Sequence, residues 1–219
     1  HETGTRDIRR LSGLRRFMPV TAALAIIASA AMAGVPLLNG FLSKEMFFTE
    51  TAEFDPNVFV NLALPIGATI AGMFSVAYSL RFVHGVFFGP PPEKLDRVPH
   101  VPPALMRRPN EFLVLICLAV GIIPGITIGP YLAAAVASVL GADVPYYSLS
   151  VWHGFNLPLV MSIVAMVGGV LLYLALFRYL SSERDGTPLL HRFRGQRIFE
   201  SVLVTVTGRW ARGVHSLLG

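Results

Sequence analysis

Cysteine occurs once in this sequence, at Cys117, inside an apolar run. A single cysteine excludes an intramolecular disulfide and a thiolate metal cluster. Charge is scarce as well. Asp, Glu, Lys and Arg make up 14% of the residues, against about 25% in ordinary soluble domains. Histidine pairs at helical metal-ligand spacing are missing: six histidines are scattered, and none forms a His-x-x-x-His pair. No hydrolytic triad, phosphate-binding loop or metal cluster is present, so no cofactor and no metal are expected. Internal repeats and low-complexity tracts are absent too. The sequence opens on His1 with no signal peptide ahead of the first apolar run, and the expectation is a fragment or the interior of a longer polypeptide.

What fills the space is apolar. Hydrophobic residues reach 53% and mean hydropathy is +0.60. Bilayer rules therefore replace globular ones, and the expected fold class is all-α, a polytopic transmembrane helix bundle. A net charge of +5 would suggest nucleic acid in a soluble protein. Here it reads as orientation signals and contact with lipid headgroups, with no nucleic acid. Four spans are expected, over residues 18–54 (broken), 58–88, 112–128 and 152–180. Pro130–Leu140 reads as a short apolar helix on the far side. Residues 1–180 form the four-span part, and 181–219 a linker and surface helix. Lys and Arg, apart from Lys44 and Arg81, fall at the start, in the loop at 93–108 and, from Arg178 on, at the end of the last span and after it. The loops around 55 and 143 hold none. Four spans place all the basic segments on one side, which should be cytoplasmic.

The stretch Met32–Phe48, MAGVPLLNGFLSKEMFF, organises the rest. Residues 18–54 as one straight helix would measure about 55 Å, while the hydrocarbon core is about 30 Å thick. The segment must break, tilt or leave the membrane. Gly34, Pro36, Asn39 and Gly40 are where a break is easiest, because proline removes a backbone donor and glycine relaxes the chain. A helix interrupted in a membrane frees backbone groups that must face a cavity, water or protein. Discontinuous helices of this kind build ion sites in transporters. Ser43, Lys44 and Glu45 follow the break directly. An ionisable residue there is a functional candidate. Bilayer desolvation penalises a charged amine, so Lys44 can exchange a proton. The alternative is an interfacial lysine that snorkels. Glu45 is adjacent, so on a helix it points elsewhere, as a plain interfacial acid unless local unwinding pairs it with Lys44.

His84, near the far end of the second span, could relay protons between a buried lysine and cytoplasmic water; an interfacial histidine is the alternative. Arg81 reads as a snorkelling or phosphate-binding residue, Tyr78 as packing or lining, and His153 as part of a helix start anchored by Trp152. Beyond Ser181, apolar residues from Ile198 to Leu217 recur every three or four positions, opposite Arg197, Arg209 and Arg212. That is an amphipathic helix suited to the membrane surface or to packing on a soluble partner.

The pieces HETGTRD, AGVPLLNGFLSKEMFF, RFVHGVFFGP and WHGFNLPL together resemble the large A-type component of Mrp-type multisubunit cation/proton antiporters. That component is in turn similar to the largest antiporter-like subunit of respiratory complex I. The element Pro36-x-x-x-Gly40-Phe41-x-Ser43-Lys44 is shared by both; the flanking pieces look more like Mrp. The resemblance implies that Lys44 is the lysine in the broken helix of a proton half-channel, near the membrane midplane. It implies that the tail begins a lateral helix. It implies a cell-membrane protein that is not an enzyme, working with other Mrp-type subunits, protons, and Na+ or K+. One departure is the single proline in Val35-Pro36-Leu37, where such proteins often carry two. The rival readings are a proton-pumping subunit of a complex I-type NADH:quinone oxidoreductase, or a non-catalytic assembly segment.

Overall fold

A computed structural model describes residues 2–5, 8, 10–53, 58–90, 95, 97, 99–141, 149, 154–182 and 195–205. Among these the regular structure is entirely helical, as the all-α expectation requires. A 3-10 turn, Leu14–Arg16, precedes α1 (Pro19–Ala33), α2 (Asn39–Glu53), α3 (Val58–Phe87), α4 (Ala104–Ile122), α5 (Pro124–Thr127), α6 (Gly129–Leu140), α7 (Leu157–Ser182) and α8 (Gly195–Val204). Residues 1–174 make one compact unit and 175–219 another.

Proline and asparagine set most helix starts. Pro19 opens α1, where its missing N–H is harmless and its φ already helical. Asn156 caps α7, its Oδ1 accepting the Leu159 N–H at 2.9 Å. That cap places the helix start at Leu157, five residues beyond the expected 152; Trp152 and His153 lie outside the described residues. The third apolar helix differs more. It begins at Ala104, not 112, and ends at Ile122, not 128. Arg107 Nε and Glu111 Oε1 form an i,i+4 ion pair at 2.5 Å that supports the early turns, so the basic loop is shorter than the sequence suggests. Pro124 then stops the helix, because its ring clashes with the preceding turn, and opens the single turn α5.

In the first unit, α3 is the spine. The start of α1 lies beside the end of α3, where Leu14, Met18, Ala22, Val86 and Phe87 form one buried cluster. The Gly13 N–H bonds Phe88 O, and the Arg15 guanidinium stands 5.0 Å over the Phe88 ring. At the other end of α1, Ser75 Oγ donates to Met32 O at 2.8 Å. Further on, Phe48 of α2 meets Gly72 within a second cluster of Phe48, Ala68, Met161 and Ala165. Both α1 and α2 therefore run antiparallel to α3, one after the other. α7 runs parallel to α3: Ala165 faces Gly72, Gly169 faces Val76, and Tyr173 faces His84. A Cβ on Gly169 would lie 2.6 Å from Met73 O and from Val76 Cβ, so these two backbones touch.

Among the described residues two helices are long and apolar enough to cross a membrane, Val60–Phe87 and Leu157–Phe177. Their outer faces carry Leu62, Phe74, Leu171 and Leu174, all more than half exposed, as suits side chains whose solvent is lipid. In the second unit, α8 leaves Phe199, Leu203 and Val204 exposed. The rest of the expected surface helix, including Val206 and Trp210, lies outside the described residues.

Candidate functional site at the interruption between α1 and α2

A helix ends with four carbonyls that have no partner in the next turn. In α1 these belong to Ala30, Ala31, Met32 and Ala33, and each receives a donor. Gly34 follows in the left-handed region with φ 81°. Its N–H bonds Ala31 O and the Val35 N–H bonds Ala30 O, both at 3.0 Å, the Schellman pattern that glycine makes possible. Met32 O takes the Ser75 hydroxyl. Ala33 O takes Lys44 Nζ at 2.8 Å. Two backbone and two side-chain donors thus close the helix end, and the last is an ionisable amine.

The lysine has a fitted bed. A Cβ on Gly34 would stand 2.6 Å from Lys44 Cδ and 3.3 Å from Nζ, so only glycine lets the stem cross here. The carbonyl end of α1 carries partial negative charge that attracts the ammonium. Gly40 is equally constrained: its Cβ would sit 1.8 Å from Ala31 O, so the first turn of α2 rests on the last turn of α1. Leu37, between them, has φ 68°, a left-handed conformation that costs a non-glycine residue roughly 1–2 kcal/mol. α4 holds this linker from the side. A Cβ on Gly121 would lie 2.3 Å from Leu37 O, and Cys117 Sγ donates to Asn39 Oδ1 at 2.9 Å.

Pro36 is exposed in the turn between the helices. Ser43 Oγ bonds Asn39 O within α2 at 3.4 Å. Glu45 is 5% exposed, packed on the same helix as buried Phe41, Leu42 and Phe48. It is therefore no surface acid. α2 is helical through both residues, so Lys44 and Glu45 diverge by about 100° around the axis. His84 is not beside Lys44. Ser75 marks the level of the α1 end on α3, and His84 comes nine residues later, about 13 Å along the helix and half a revolution round it. There His84 Nδ1 lies 2.6 Å from Tyr173 Oη, with the rings edge to face at 82°. Tyr78 and Arg81 are exposed.

Sequence reasoning missed Ser75, Gly121 and Tyr173. Each acts across a helix–helix contact distant in sequence, and nothing in its own neighbourhood marks it.

Three kinds of similarity bear on this arrangement. The family profile described as "NADH:quinone oxidoreductase/Mrp antiporter, TM" matches residues 1–70, which include the interruption and Lys44. A Rhizobium meliloti protein, named as the probable A/B subunit of a K(+)/H(+) antiporter, is 61% identical over 219 residues, all of this chain and 22% of that protein. The chain belongs to the NADH:quinone oxidoreductase/Mrp antiporter family. Further members are similar over most of it: the A subunit of the Na(+)/H(+) antiporter of Alkalihalophilus pseudofirmus is 37% identical over 202 residues, 84% of this chain and 25% of that protein. A solved Mrp complex from a Dietzia species superposes with TM-score 0.67 at 31% identity, covering 100% of this chain and 24% of that one. This member of the Mrp family thus spans about a quarter of the length of the relatives it matches, and like them it is a multi-pass membrane protein.

Proposed function

We propose that this chain supplies part of a proton half-channel in a multisubunit cation/proton antiporter, coupled to export of Na+ or K+. The observation that carries the reading is Lys44 Nζ on Ala33 O, at the place where α1 stops. α1 and α2, running in sequence along α3, act as the two arms of one discontinuous membrane helix, and Lys44 faces its gap. The cycle is an exchange between two states. With the ammonium bound to Ala33 O, the helix end is closed. When the amine passes its proton on, its attraction to the carbonyl end of α1 falls and the stem is released from the Gly34 bed. Movement of cations elsewhere in the assembly biases this exchange. His84 joins the cycle to cytoplasmic water at a distance, through water or intervening hydroxyls such as Ser75 and Ser79. The surroundings are other Mrp-type subunits and membrane lipid, with α8 opening a lateral amphipathic helix along the membrane surface. The division into a four-span part over 1–180 and a surface part over 181–219 belongs to the same proposal. No chemical conversion of a substrate is needed, in keeping with relatives named as antiporter subunits. Those names also favour the antiporter over a redox-driven pump.

The test is cation-dependent proton flux in vesicles, with the complete transporter at matched assembly. Lys44→Ala should nearly abolish exchange. Lys44→Arg should do the same, because guanidinium keeps its charge and does not release its proton. Wild-type flux in Lys44→Arg would reject the protonation cycle and leave a fixed positive charge as the role of this position.

A further inference from the structure

Beyond the interruption, one polar contact joins two membrane-length helices, and the half-channel reading leaves it unused. Tyr173 Oη and His84 Nδ1 lie 2.6 Å apart, their rings edge to face with centroids 6.1 Å apart. The contact depends on a built approach. Gly168 and Gly169 let α7 lie against Met73 and Val76, one turn before Tyr173, and the parallel course of the helices then carries the phenol to the imidazole. α7 is otherwise poor in such groups: between Leu157 and Leu174 Tyr173 is its only titratable side chain. On α3 the nearest charge is Arg81, one turn before His84.

The Tyr173 hydroxyl can donate to Nδ1 or accept from it; we propose that it accepts, which makes Tyr173 a positioning residue for proton transfer through His84, holding a hydrogen on Nδ1 so that Nε2 is the nitrogen that takes up and releases the proton. This rests on the reading of His84 as a relay. The chemistry balances without a change of tautomer. Neutral His84 donates Nδ1–H to the phenol oxygen and accepts a proton at Nε2, giving the imidazolium. The Nδ1–H···Oη bond persists in that state, since the hydroxyl is an acceptor in both. Release of the proton from Nε2 restores the starting form. Without the Tyr173 hydroxyl the imidazole loses this restraint and carries its hydrogen on either nitrogen, and each turnover must wait for the productive form. The residue is thereby a specificity element of the path and takes no proton itself.

The experiment compares wild type, Tyr173→Phe, His84→Ala and the double variant in the complete transporter, reading proton flux in vesicles. Magic-angle-spinning nitrogen NMR of histidine-labelled protein reads the tautomer, with the His84→Ala spectrum identifying the resonance. Tyr173→Phe keeps the ring and its packing. It should slow exchange about five- to tenfold, the size of one lost hydrogen bond. It should have no further effect in the His84→Ala background, and the Nδ1–H signal of His84 should lose its dominance. A Tyr173→Phe variant with wild-type flux while His84→Ala is slow overturns this inference and spares the relay. An unchanged Nδ1–H signal in Tyr173→Phe also overturns it. Wild-type flux in His84→Ala overturns the relay, and the role of Tyr173 with it.

Discussion

Gly34 carries two requirements at once, and they can be separated. Its φ of 81° is costly for a residue with a Cβ, roughly 1–2 kcal/mol. Its missing side chain also gives passage to Lys44, whose Cδ would stand 2.6 Å from an added Cβ. The lysine stem is flexible, so Gly34→Ala should displace Nζ from Ala33 O and leave the fold standing. Asparagine tolerates the left-handed region better than alanine but fills the same bed. Exchange flux at matched assembly should therefore fall in both Gly34→Ala and Gly34→Asn, by about tenfold or more if the Lys44 contact is worth a typical charged hydrogen bond. Recovery in the asparagine variant would show that backbone strain alone matters and that the lysine bed does not.

At the scale of elements, the end of α1 is held by donors from outside itself. Ser75 from α3 takes Met32 O, and Gly121 of α4 lies against the linker at Leu37 and Leu38. Ser75→Ala leaves a carbonyl without its donor, a loss of about 1–3 kcal/mol where water is excluded. The expected outcome is a purified assembly that inactivates at lower temperature, with Ser75→Thr close to wild type because the hydroxyl is retained. Equal thermal stability of the alanine variant would mean that water replaces Ser75. Gly121→Val should be worse than either, because Leu37 O is backbone and has nowhere to retreat. How much of this was legible follows from its range. Gly34, Pro36 and Asn39 sit together in sequence, so the place of a break could be read from composition, but not its bounds, the end of α1 at Ala33 and the start of α2 at Asn39. Lys44 could be named because it follows directly. Its acceptor could not, since Ala33 O is found only by knowing that α2 folds back one turn over the end of α1. The meeting of His84 and Tyr173 was hidden for the same reason: 89 residues separate them, and only the glycine contacts between α3 and α7 bring them together. The start of α4 was misjudged because its first turns are polar, and hydropathy does not register an Arg107–Glu111 pair.

At the scale of the whole molecule, function requires direction. α3 has 28 residues apolar enough to cross a membrane, Val60–Phe87, about 42 Å of helix against a hydrocarbon core of about 30 Å. In the topology we propose, whatever lies before it and whatever lies after it are therefore on opposite sides. Hydropathy does not say which side is which; the basic residues do. Arg97, Arg107 and Arg108 follow α3, Arg10, Arg15 and Arg16 precede α1, and the stretch around Glu53 has no lysine or arginine. By the distribution of basic residues the base-rich side should be the cytoplasmic one, and the topology we propose puts His84 near the cytoplasmic end of its helix and Glu53 outside. The measurement uses single cysteines in a Cys117→Ser background, where the serine hydroxyl can still donate to Asn39 Oδ1. Glu53 and Val101 are both exposed. Glu53→Cys should react with a membrane-impermeant maleimide on intact cells, and Val101→Cys only after permeabilisation. The reverse pattern would turn the molecule over. His84 and Tyr173 would then face the outer medium, and a relay from Lys44 to cytoplasmic water could not pass through them.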